Sequence, residues 1–130
     1  MGSRTRRRGK LQRAVRLVAA NLLEEDVQRA LSRGGVSGAR EVMRAQAHAL
    51  LDGEVEILVV RIEPELEAGY LPESDRIVLQ PWLVRKGSVD EVREALLEES
   101  LHRCLTALGY RDEDHHHRLI EPVLARARGL

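Results

Sequence analysis

A chain of 130 residues, 43% hydrophobic and 32% charged, has the make-up of one soluble globular domain that buries roughly two-thirds of the surface its unfolded form exposes. With no Phe, one Trp and two Tyr, the core has to be built from Leu, Val, Ile and Ala, and stacking on nucleic-acid bases is nearly excluded; the single cysteine, Cys104, excludes an internal disulfide and Cys-rich zinc sites. The formal net charge is zero but unevenly placed: residues 1–20 carry seven Lys or Arg and no acid, leaving 14 bases against 21 acids in the rest.

No apolar run approaches the ~20 residues that span a membrane, and none follows the basic start as a signal peptide requires. Lone-cysteine usage and the lack of such segments give a cytoplasmic expectation. Residues 1–10, with Arg4, Arg6, Arg7 and Arg8 among Gly, Ser and Thr, read as a disordered basic arm ahead of a single domain over 11–130. A solvated tail is the plainer reading of that arm, and contact with nucleic-acid phosphates the functional one.

From Leu11 to Leu31 apolar residues recur at helical spacing (Leu11, Ala14, Val15, Val18, Leu22), which predicts one helix ended by Ser32-Arg33-Gly34-Gly35. A second helix starts at Ser37 or Gly38 and closes at Asp52-Gly53, with His48 a surface or packed histidine. Val55 to Ile62 is rich in β-branched residues and reads as a strand. Ala68–Leu71 and Arg76–Gln80 flank Pro72-Glu73-Ser74-Asp75, a turn sequence, so the middle of the chain is expected to be a small antiparallel meander. Its last strand, Arg76–Gln80, is expected at the sheet edge, where an extended peptide can add. Trp82 reads as a plug over the sheet.

Ser88 and Glu91 form a capping box for a helix that buries Leu97, Leu101, Cys104, Leu105 and Leu108 on one stripe. Glu98 and His102 flank that stripe one turn apart, as a pair of metal ligands must, with Glu99 beside them, close enough to polarise a water. Gly109 ends this helix, and Arg111-Asp112-Glu113-Asp114 opens a last one carrying His115, His116 and His117, with Glu121 a turn after His117. A metal site needs three or four convergent ligands, so a third must come from this returning helix: His115, His116, His117 or Glu121. The fold class is therefore α+β, with N-terminal helices, a small antiparallel sheet, the motif helix and a C-terminal helix. No internal repeat or second domain is visible.

Glu98-Glu99-Ser100-Leu101-His102 has the shape of the motif His-Glu-x-x-His with glutamate at the first position. Together with the hairpin sequence Tyr70 to Leu79 and the late histidine cluster, the stretch from Glu54 to Leu124 resembles the zincin metallopeptidases, closest to the small SprT-like and minigluzincin types. The resemblance implies a hydrolase of peptide bonds with Glu99 as general base and His102 as zinc ligand. Its third ligand would be His117 by SprT-like spacing or Glu121 by gluzincin spacing. Glu98 departs from the pattern: a carboxylate binds Zn²⁺ at ordinary distance, lowers its Lewis acidity and admits Mn²⁺ or Fe²⁺. It also suits a pseudoenzyme that kept the fold and lost the metal. The rival readings are a protein-binding module of the same fold without catalysis, and a nucleic-acid or ribonucleoprotein accessory factor that grips phosphates through the arm.

Overall fold

The N-terminal apolar spacing does produce helices, but three of them. In the computed structural model, which describes the backbone of residues 2–129 and the side chains of residues 8–129, α1 spans Gly2–Leu23, α2 Glu25–Arg33 and α3 Ala39–Leu51. The single helix expected over Leu11–Leu31 breaks at Glu24, whose backbone is extended (φ −72°, ψ 130°). Side chains on either side hold the break. Asn21 Nδ2 donates to Glu24 Oε1 and the buried Gln28 Nε2 donates to the Leu22 carbonyl, both at 2.9 Å. Spacing alone reads through the break because Leu22 and Val27, on its two sides, both face the core.

α1 begins at Gly2, not near Leu11, so most of the segment expected as a disordered arm is continuous helix backbone. Lys10, at the end of that segment, is tied down. Its Nζ donates to the carbonyls of Val84 (2.9 Å) and Gly87 (2.6 Å), which lie at the end of a short helix, α4 (Pro81–Lys86). Met1 lies outside the described residues.

Three strands, β1 (Glu56–Val59), β2 (Ala68–Leu71) and β3 (Arg76–Leu79), form one sheet in the order β1-β3-β2. β2 and β3 are the expected antiparallel hairpin, with Tyr70 opposite Ile77; β1 runs parallel to β3, with Ile57 opposite Ile77. The sheet is thus mixed, and Arg76–Leu79 is its centre where the edge was expected. Ile77, Val78 and Leu79 are all buried, as a strand covered on both faces requires. Paired on both sides, β3 has no free backbone for an incoming peptide, and the open edges belong to β1 and β2. Trp82 does not plug the sheet either: on α4 it is 39% exposed, while its neighbours Leu83 and Val84 are buried.

The helix everything packs on is α5 (Val89–Ala107), which α1, α3, the hairpin strands and α6 (Glu113–Ala127) all contact. Its start is fixed by the capping box: Ser88 Oγ accepts from the Glu91 N–H (3.1 Å) and Glu91 Oε1 from the Ser88 N–H (3.0 Å). Leu97, Leu101, Cys104 and Leu105 are buried as the spacing predicts, each Leu contributing about 1.5–3 kcal/mol. Gly109 then turns the chain in the left-handed region (φ 94°), and α6 returns with Leu119, Ile120, Val123 and Leu124 buried. No helix among the described residues is long and apolar enough to cross a membrane.

The loop between β1 and β2 is held from below by one side chain. Gln80, 2% exposed, donates from Nε2 to the carbonyls of Ile62 (2.9 Å) and Glu63 (2.8 Å), while its Oε1 accepts from the Ile62 N–H (3.4 Å). Gln80→Ala leaves those groups without partners and is expected to destabilise the fold by about 2 kcal/mol in urea denaturation. A change below about 0.5 kcal/mol contradicts this role for Gln80.

Candidate metal centre

α5 sets the first two side chains of the site. One helical turn separates Glu98 from His102, so both look the same way beside the buried stripe; Glu98 is half-buried and His102 only 5% exposed. The turn after Gly109 brings the rest. Tyr110 N–H donates to the Leu105 carbonyl at 2.9 Å, fixing where α6 starts its return. The ligand atoms of Glu98, His102 and His117 then lie within 4.8 Å of one another, and so do those of His102, Glu113 and His116. Both are groups that could hold a metal ion, and they share His102.

The three consecutive histidines take three different environments, because neighbouring residues on a helix point about 100° apart. His115 packs its ring against Tyr110 (centroids 5.4 Å apart) and belongs to neither group. His116 is 4% exposed, with Nδ1 2.9 Å from His102 Nδ1 and Nε2 2.8 Å from the Tyr110 carbonyl oxygen. His117 is exposed, stands edge-on to His102 (5.2 Å, 79°) and has Nε2 3.7 Å from a Glu113 oxygen. Of the candidate third ligands, His117 therefore joins Glu98 and His102, His116 enters only the second group, and His115 enters none. Glu121, exposed on α6, is also in neither group, although its charge reaches Glu98.

Burial dominates the electrostatics. It pushes Glu99, 7% exposed, up to about 8, with the charges of Glu98 and Glu113 adding to the rise. It raises Glu98 too, opposed by His117 and assisted by Glu121, Glu67 and Glu94. Burial brings His102 down to about 4, keeping its imidazole neutral and able to donate a lone pair to a metal.

These groups open into a cleft of about 460 Å³ whose opposite wall is β2 and its flanks, Leu66 and Ala68 to Pro72. β2 is held against α5 by a polar network. Arg103 of α5 binds both carboxylate oxygens of Asp75 (2.8 and 3.1 Å) and also donates to Gln46 of α3, and the Tyr70 hydroxyl donates to Asp75 Oδ1 at 2.7 Å. Asp75 does this from a left-handed backbone (φ 54°), which Asp tolerates better than most residues. The bond to Asp75 and burial push the Tyr70 hydroxyl up to about 12, burial being the larger cause.

Comparison with protein-family models, with curated proteins and with solved structures finds no match to this chain. Of the arginines expected to grip nucleic acid, Arg8 is exposed on α1, and the side chains of Arg4, Arg6 and Arg7 fall outside those described. Sequence reading ranked His116 only as a spare ligand and passed over Glu113 and Tyr110. Tyr110 joins the site through its backbone carbonyl, which leaves no trace in residue type.

A raised Glu99 has a measurable consequence for the metal-free protein. The folded state favours the protonated carboxyl, so its contribution to stability is complete below the ordinary value of 4.5 and is lost as pH rises toward about 8. Glu99→Gln, neutral throughout, is expected to be the more stable form in chelator at pH 8 by on the order of a few kcal/mol, and close to wild type at pH 4. Denaturation midpoints at the two pH values test this, and a gain independent of pH contradicts it.

Proposed function

We propose that this protein is a metal-dependent peptidase of the zincin type, with zinc held by Glu98, His102 and His117. The observation that carries the reading is the convergence of those three ligand atoms, within 4.8 Å of one another, beside the buried carboxyl of Glu99. A tetrahedral ion with bonds of about 2.0–2.2 Å holds its ligands roughly 3.3–3.6 Å apart, so a small rotamer adjustment closes this set. Two imidazoles and one carboxylate are also the donor set of an established class of catalytic zinc sites, here with the carboxylate at the motif's first position and the second imidazole on the returning helix. Glu98 therefore changes the donors of the family pattern, and the set that results is still one that catalytic zinc accepts. Mn²⁺ and Fe²⁺ fit the same donors and compete in the test below.

A zinc ion at this place would supply Lewis acidity for a scissile carbonyl and lower the pKa of a water molecule. Glu99, which lines the same cleft, would take the proton from that water and return it to the leaving amine. Its high proton affinity in the metal-free protein falls once positive charge offsets Glu98 and Glu113. The substrate would lie along β2, whose outer edge is unpaired and lines the cleft, taking the place first expected of Arg76–Gln80.

Zinc titration of chelator-stripped protein by calorimetry tests the reading. Roughly one ion per chain is expected, with binding weakened about a hundredfold or more in His102→Ala and His117→Ala. Glu99→Gln is expected to bind zinc and to lose cleavage of an unfolded protein substrate that the wild type cuts. Wild-type protein that takes up no zinc, manganese or iron, or His117→Ala binding as tightly as wild type, overturns the proposal.

A further inference from the structure

We propose that His116 fixes His102 in the tautomer protonated on Nδ1, leaving Nε2 as the nitrogen that coordinates a metal, and that His116 is a positioning residue and no ligand itself. The inference rests on the metal reading above for its purpose, but not for its evidence.

The proton count follows from three contacts. The Tyr110 carbonyl can only accept, so His116 Nε2, 2.8 Å away, carries a hydrogen. A neutral His116 then has a lone pair on Nδ1, and that atom faces His102 Nδ1 at 2.9 Å. One proton fits between the two nitrogens, and it belongs to His102. Placing it on His116 would create an imidazolium in a side chain only 4% exposed. The chain therefore runs from His102 Nδ1–H to His116 Nδ1, and from His116 Nε2–H to the Tyr110 carbonyl.

This order decides between the two candidate groups. In the group of His102, Glu113 and His116, both histidines are already engaged with each other through Nδ1, and His116 Nε2 is held by the Tyr110 carbonyl, so a metal there has to break one of these buried contacts. In the group of Glu98, His102 and His117, the relay leaves His102 Nε2 with its lone pair free for a metal. A hydrogen bond to the far nitrogen of a metal-binding imidazole orients the ring and raises its basicity. Usually a carboxylate or a carbonyl accepts that bond; here an imidazole accepts it and passes the polarisation on to Tyr110. Two neighbouring histidines thus divide the work, His117 facing the metal and His116 setting the tautomer from behind.

The test separates the relay from mere packing. Nitrogen-15 NMR of the metal-free wild type reads the His102 tautomer directly, and protonated Nδ1 is expected. Two variants then split the functions of His116. His116→Asn keeps an acceptor near the place of Nδ1, whereas His116→Gln reaches the Tyr110 carbonyl and loses that acceptor. The Asn form is expected to keep His102 protonated on Nδ1 and to bind zinc at least about tenfold tighter than the Gln form. His102 protonated on Nε2 in the wild type overturns the proposal, as does a Gln variant equal to Asn in both tautomer and zinc affinity. Wild-type protein with protonated Nδ1 but no metal affinity removes the peptidase reading and leaves the relay standing, since the tautomer in the two variants still decides it.

Discussion

Helix α6 folds back after Gly109 and packs on both α5 and α2, and this apolar packing positions the histidines of α6 against Glu98 and His102 of α5. Leu101 and Leu105 of α5 and Leu119, Ile120 and Val123 of α6 are buried, and α6 also packs on α2, where Leu119 lies against Gly34, so slippage of α6 would expose apolar surface. The polar groups ride on that packing: Glu98, Glu99 and His102 from α5, His116 and His117 from α6. Because the packing is stiff, the fold can hold a carboxyl and two imidazoles in surroundings that desolvate them. A raised Glu99 and a lowered His102 are the expected signs of that confinement.

The sheet contributes the other wall. β3 is the buried centre, and β2 is hung from it and lines the cleft. Arg103 ties the hairpin to α5 through Asp75 and to α3 through Gln46, so three elements meet at one guanidinium. This network sits one helical position beyond His102 and fixes the distance between the candidate ligands and the strand that faces them. The acidic groups around Glu98 give the cleft a negative field suited to a cation.

Much of this was legible in the sequence, for reasons local to the chain. A capping box, an apolar stripe and a one-turn spacing are properties of single segments, so α5 and the shared face of Glu98 and His102 could be read directly. His117 could be named from its spacing and the returning helix. What failed were features decided between segments. The order β1-β3-β2 depends on which strand β1 finds, and only the unbroken Ile77-Val78-Leu79 hinted that β3 was central. The break at Glu24 is held by Asn21 and Gln28 side chains that leave the apolar rhythm intact. His116 was indistinguishable from its neighbours because its role depends on a backbone carbonyl at Tyr110.

The position of a metal relative to α5 and α6 distinguishes the two candidate groups. Anomalous diffraction at the zinc absorption edge, from crystals of stripped protein loaded with stoichiometric zinc, measures this directly. The predicted result is one peak about 2.0–2.2 Å from a Glu98 oxygen, from His102 Nε2 and from a ring nitrogen of His117. A peak bound by His102 Nδ1, Glu113 and His116, or a peak away from both helices, would contradict it.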